Sequence, residues 1–314
     1  MLHVRVVAPA TITEEAVAVL RDDEAVTHLV VQRGVALSPP GDLIEFDVVR
    51  EGATHVLDTL RELGLSDEGG IVVERVDTTL SASADRAEKK VPGLGVDAVV
   101  WQEIEHQTGE ETELSASFLA FMTIAMIIAA VGVLLDQPIL IVGSMVVGPE
   151  FGPLAALSVG LVQRKAYLIR RSVVALAVGF PVGMVLTVLA TWVLTGADLI
   201  NRSMLLEERP LTDFIWRPDA LSWVIGFLGG VAGILSLTSA KAGTLVGVLI
   251  SVTTIPAAAN AAVALAYGVR HEFLGSALQL VINLAAIVVA GVLTLIVQQA
   301  VWRLTRRRVQ PSRP

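Results

Sequence analysis

The chain changes character near residue 113. Before it, short apolar alternations and helical stripes are set among charges; after it, long apolar runs follow one another with few interruptions. In the first region Ile44, Phe46 and Val48 alternate and Val30-Val31 is β-branched, so strands are predicted over residues 2–7, 27–32, 43–49 and 70–76. Val17 and Leu20, and Val56, Leu57 and Leu60, recur at helical spacing and predict helices over 13–21 and 53–63. This order of two βαβ-like halves predicts an N-terminal α+β ferredoxin-like domain over residues 1–80, with helices on one face of an antiparallel sheet.

A polar stretch containing Ser81, Ser83, Asp85, Pro92, Gly93 and Gly95 reads as a linker or frayed helix. Val96, Val99, Val100, Ile104 and Gln107 then predict an amphipathic connector helix, so residues 81–113 form a linker and connector. The other face of that helix carries Glu103, Glu105, Glu110, Glu111 and Glu113. Helices that lie on anionic lipid are basic, so this one is expected to pack on the N-terminal domain or between subunits.

A bilayer core of about 30 Å takes about 20 apolar residues in a helix. Six spans are predicted over 115–135, 139–162, 172–195, 221–240, 243–267 and 275–302. The resulting fold class is a polytopic α-helical membrane protein, its six-helix domain covering 114–302 and followed by a basic tail over 303–314. The connection between the second and third spans carries Arg164, Lys165, Arg170 and Arg171, and the tail adds five arginines. With both inside, an even number of spans puts the N- and C-termini in the cytoplasm, and the expected location is the bacterial inner membrane. No signal peptide is expected, because the chain opens on a strand pattern. The connection 196–220 is predicted to hold a short interfacial helix around Phe214 to Trp216.

Composition sharpens this picture. The chain is 54% hydrophobic with a mean hydropathy of +0.68, too apolar for an ordinary soluble enzyme. Residues 1–113 carry 9 Lys and Arg against 23 Asp and Glu, whereas 114–314 carry 14 against 8. The two regions therefore face different solvents. No cysteine is present, which excludes disulfides, thiolate metal sites and a cysteine nucleophile. The five histidines lack ligand spacing, and no phosphate loop or nucleophile elbow appears, so no metal, no cofactor and no enzymatic activity are expected. The acidic, aromatic-poor first region argues against nucleic acid.

The second span contains Gly143-Ser144-Met145-Val146-Val147-Gly148-Pro149-Glu150-Phe151-Gly152-Pro153. Two prolines four apart each remove a helical hydrogen bond, and lipid cannot satisfy the carbonyls so released. Glu150 falls at the middle of the span, where an acid costs about 2.5–3.5 kcal/mol on insertion scales. It is expected to be neutralised, paired or in contact with a hydrated path; the functional reading is an ion, proton or solute site, and the alternative is an acid joining two helices or facing a wet oligomer axis. The fifth span repeats the proline interruption, with Gly247, Ser251, Thr254, Pro256 and Asn260. Two three-span units of opposite orientation, a 3+3 inverted repeat, are thus expected. The candidate pathway residues are Ser144, Gly148, Pro149, Glu150, Gly152, Pro153, Thr254, Pro256 and Asn260. Hydrogen bonds between helices are the ordinary alternative for Ser144, Thr254 and Asn260, and close helix packing is the alternative for the glycines.

The run Gly143-Ser144-Met145 with Pro149, Gly152 and Pro153, the proline in the fifth span and the small αβ domain before six helices together resemble a bacterial membrane family catalogued as "domain of unknown function 389". Glu150 departs from the apolar residue expected at that place in many relatives, and Pro256 stands alone where a proline pair is common. The resemblance implies the architecture and leaves the activity open. The expected function is a membrane channel or transporter for a small ion or polar solute, working in the lipid bilayer as a homo-oligomer. The alternative is a membrane sensor or scaffold whose ferredoxin-like domain binds a small effector, with the strand-to-helix turn at Pro9, Thr11 and Thr13 as a candidate anion seat.

Overall fold

The computed structural model describes residues 1–76, 78–91, 99–239 and 253–309, with side chains described as far as Val301. The chain divides into two compact units, one built on Met1–Ile104 and the other on Glu105–Leu237 with Lys241–Val297.

The first unit runs β1 (Leu2–Ala8), α1 (Ala10–Asp22), β2 (Val26–Leu37), β3 (Pro40–Val48), α2 (Arg50–Glu62), α3 (Leu65–Glu68), β4 (Gly70–Arg75) and α4 (Ala82–Lys90). The four strands form one antiparallel sheet in the order β2-β3-β1-β4. Because side chains alternate along a strand, the pairs Leu2↔Val48, Val4↔Phe46 and Val6↔Ile44 place six apolar residues on one face. Ala16, Val17 and Leu20 of α1 and Val56, Leu57 and Leu60 of α2 complete that core. Each fully buried large side chain there stabilises the fold by roughly 1.5–3 kcal/mol.

The predicted strand over 27–32 is longer in the structure. The hairpin continues through Ala36↔Gly41 and Leu37↔Pro40, past a register shift between Gln32 and Ala36. Gly34, with φ 65°, turns the backbone there, which hides the extension behind a polar Arg33-Gly34 pair. A second shift between Thr27 and Val30 encloses His28, held at φ 54°. Its ring bonds Asp47 Oδ2 through Nδ1 at 2.7 Å and Ser81 Oγ through Nε2 at 2.8 Å, while Ser81 caps α4. The clasp explains why the polar 81–91 segment is a helix set against the sheet. At the start of α1, Thr13 donates its hydroxyl to Pro9 O, so the candidate anion seat is an ordinary helix start.

The second unit continues from the connector helix α5 (Trp101–Glu111) into α6 (Ala116–Leu134), α7 (Pro138–Val147), α8 (Phe151–Gln163) and α9 (Ala166–Gly196). After α10 (Arg202–Leu206) and a 3-10 turn at Asp213–Ile215 come α11 (Ala220–Thr238), α12 (Thr254–Ala266) and α13 (Arg270–Val309). Among the described residues four helices are long and apolar enough to cross a membrane, and the α7–α8 pair, bent by 53°, makes a fifth candidate. Six separate spans are not seen. The first half of the predicted fifth span, including Gly247 and Ser251, lies outside the described residues, and α12 alone has 13 residues. Several apolar helices mark a membrane-embedded protein. The surface of α9 agrees: Val185, Leu186, Leu189, Trp192 and Val193 are exposed, a face suited to lipid rather than water.

The predicted loop 163–171 is mostly helix, since Arg164 ends α8 in a left-handed turn and α9 starts at Ala166. Two of its cations are ion-paired, Lys165 with Glu105 and Arg171 with Glu113, and Tyr167 also donates to Glu105. Two of the connector's acids, Glu105 and Glu113, are thus paired with cations near the α8–α9 junction. Within the N-terminal unit, Glu103 pairs with Arg50 and Arg75.

Candidate functional site

The site is a consequence of proline chemistry. A residue before proline is driven out of the helical region, and Gly148, preceding Pro149, sits at ψ 131° and ends α7. Glu150 then takes the cap position of α8. Pro153 is the third residue of α8, where its missing N–H costs nothing, so the two prolines produce one break rather than two. α12 starts the same way, with Pro256 in its third position.

The two helix starts meet. Thr254, the first residue of α12, donates its hydroxyl to Glu150 Oε1 at 2.6 Å. Glu150 is 5% exposed, and among the described residues its Oε2 has no partner. Each helix start carries a partial positive charge of about half a unit, so two of them together favour an anion at this point. A β-carbon on Gly148 would overlap Glu150 Oε2 and come within 2.7 Å of Ile255 Cγ1, which fixes glycine at this crossing.

Two cavities adjoin the crossing. One of about 420 Å³ is lined by Gly148, Pro149, Phe151 and Gly152, the residues flanking Glu150, together with the connector acids Glu110, Glu111 and Glu113. The other, of about 250 Å³, is lined by Thr253, the residue before Glu150's partner, with Gln279 and Asn283 of α13 and Ile141 and Met145 of α7. Asn283 Nδ2 donates to Thr253 Oγ1 at 2.9 Å.

The remaining predicted residues are distributed differently. Ser144 is fully buried and donates to Ile141 O at 2.6 Å within its own helix, rather than between helices. Gly152 packs against Glu111, since a β-carbon there would overlap that carboxyl group. Asn260 belongs to a second polar cluster: its Nδ2 donates to Ser276 Oγ at 2.7 Å and its Oδ1 accepts from Arg209 at 3.4 Å. Arg209 also pairs with Glu272 at 2.7 Å, and the two side chains are 3% and 4% exposed. Neither Arg209, in a connection, nor Glu272, in the first turn of α13, carried a sequence signal. Among the described residues no group of His, Asp and Glu is arranged to hold a metal.

The family model described as Domain of unknown function (DUF389) matches residues 145–289. Residues 145–289 thus resemble this family. The matched stretch runs from Met145 in α7 into α13, so the DUF389 region contains the Glu150–Thr254 crossing, the Asn260 cluster and both amides of the 250 Å³ cavity. The chain is 24% identical over 232 residues to Uncharacterized protein MJ0678 of Methanocaldococcus jannaschii, covering 74% of this chain and 68% of that protein. No solved structure matches it.

Proposed function

We propose that this membrane protein is a channel or transporter for a small ion or polar solute, whose pathway passes the crossing of α8 and α12. The observation that carries the reading is Glu150: a buried carboxyl group at a helix break, with one oxygen unpartnered among the described residues and a cavity adjoining each of the two helix starts. An acid at this depth is costly, and two broken helices meeting start to start are a recurrent way of building a solute site inside a membrane. The matching proline positions in α8 and α12 support a 3+3 inverted repeat.

The cations around residues 164–171 support a cytoplasmic side for that connection and for the N-terminal unit. The βαββαβ order and the β2-β3-β1-β4 arrangement of that unit are those of a ferredoxin-like sandwich. The test is flux into proteoliposomes, with sodium, potassium, ammonium, chloride and short polar solutes as cargo. Wild type is expected to carry at least one of them, and Glu150→Ala and Glu150→Gln to slow that flux about tenfold or more, as befits loss of a charge-assisted contact. Equal flux in the variants contradicts a role for Glu150.

A further inference from the structure

A cavity of about 470 Å³ lies where the turn after α12 meets α10. Gly268, at φ 71°, reverses the chain there, and α13 starts at Arg270. Asn201 caps α10 by accepting from Met204 N at 3.2 Å, and Leu205, 1% exposed, anchors that helix in the core. The cavity wall has the same order on both helices: Arg202 is followed four residues later by Leu206, and Arg270 by Leu274. Residues four apart share a helix face, so each wall runs from a guanidinium group to an apolar side chain.

The charge is one-sided. Among the described residues Arg202 and Arg270 have no hydrogen-bond or ion-pair partner, and no Asp or Glu lines the cavity. Glu272, in the first turn of α13, is paired inward with the buried Arg209 at 2.7 Å. Two uncompensated guanidinium groups favour an anion, and their planar forks match phosphate oxygens. The start of α13 adds about half a positive unit.

The apolar side continues beyond the cavity. Leu274, Leu278 and Val281 lie on one face of α13 and are 54%, 53% and 61% exposed, a stripe suited to an acyl chain. Aromatic residues with polar tips mark the level of the arginines: Trp216 packs edge-on to His271, Trp192 donates to Ala266 O at 3.1 Å, and Tyr267 Oη is 2.7 Å from Thr195 Oγ1. Such residues gather at headgroup depth. A soluble anion accounts for the arginines alone; a phospholipid accounts for the arginines and the stripe.

We propose that this cavity holds the headgroup of an anionic phospholipid, its phosphate oxygens accepting from Arg202 and Arg270 and one acyl chain lying along Leu274, Leu278 and Val281. A zwitterionic lipid brings an ammonium group into the same cationic bowl, so net-negative lipids are preferred. The site is independent of transport at the crossing of α8 and α12.

The test places a fluorophore on Leu278→Cys, in a chain with no other thiol, and reconstitutes the full chain in phosphatidylcholine bilayers. Phosphatidylglycerol or phosphatidylcholine with brominated acyl chains is then added in rising fraction; bromine quenches only nearby fluorophores. Phosphatidylglycerol is expected to reach half-quenching at a mole fraction about fivefold lower or more, a preference lost in Arg202→Gln with Arg270→Gln and retained in Arg202→Lys with Arg270→Lys. Circular dichroism and elution volume confirm that both double variants fold. The same fluorophore on Leu189→Cys of α9 is expected to show no preference. Equal quenching by the two lipids at position 278, a preference that survives the glutamine pair, or the same preference at position 189 overturns the site. Loss of the preference on adding excess inorganic phosphate at matched ionic strength marks a free-anion site and overturns the lipid class.

Discussion

Thr254 Oγ1 lies 2.6 Å from Glu150 Oε1, joining the first residue of one short helix to the cap of another 104 positions away. This is the side-chain hydrogen bond that the described residues give to the carboxyl group, and Oε2 has no partner among them, so its removal leaves a buried acid poorly satisfied. Thr254→Val, close in shape, is expected to destabilise the chain by about 1–3 kcal/mol and Thr254→Ser by much less, read as thermal unfolding in detergent. Equal transitions in Thr254→Val and wild type contradict the pairing.

Glycine is required at one position of this stretch and free at another. Gly148→Ala drives a methyl group into Glu150 and Ile255 and is expected to cost about 1–3 kcal/mol by overpacking. Gly143→Ala has nothing within 4 Å of the added carbon and lies inside α7, so it is expected to be neutral or to stabilise by a few tenths to about 1 kcal/mol. Unfolding midpoints of the two variants measured side by side check the contrast.

How much of this was legible in the chain depends on whether the cause was local. The break at Gly148-Pro149 and the acid beside it were readable, because proline acts on its own neighbours. Thr254 and Pro256 were found by the same signal in the later helix. The partners of Asn260 were not: Arg209 reads as a loop cation and Glu272 as a loop acid, and only the tertiary fold buries them together. Nor does the sequence pair Asn283 with Thr253 at the start of α12, while Gln279 bonds Asn283 one turn along its own helix. In the N-terminal unit the apolar alternation gave the sheet, while the end of β2 was obscured by a bulge that no alternation reveals.

The buried Arg209–Glu272 pair sets up an asymmetry between single and double substitution. Arg209→Met alone leaves Glu272 buried without its cation and is expected to destabilise by about 3–5 kcal/mol. The double variant Arg209→Met with Glu272→Leu removes both charges and is expected to lose markedly less. Detergent unfolding of both single variants and the double variant completes the comparison, and additive losses contradict the coupling.

In the N-terminal unit Glu51 is 4% exposed, and burial raises its carboxyl pKa above the ordinary value. An acid raised on folding binds its proton more tightly in the native state, so stability falls as pH climbs through the raised value. Glu51→Gln is therefore expected to raise the unfolding midpoint at pH 7 and to have little effect at about pH 4, near the ordinary carboxyl range. A gain of equal size at both pH values contradicts the assignment.

Because the protein has no cysteine, a single introduced thiol reports water access without background. The most direct measurement places Glu150→Cys in proteoliposomes and follows its reaction with a small membrane-impermeant methanethiosulfonate reagent. A hydrophilic pathway at the crossing predicts modification in the folded protein, slowed by the permeating solute, while Leu189→Cys on the lipid-facing side of α9 stays unmodified. A thiol at position 150 that reacts only after unfolding contradicts the pathway.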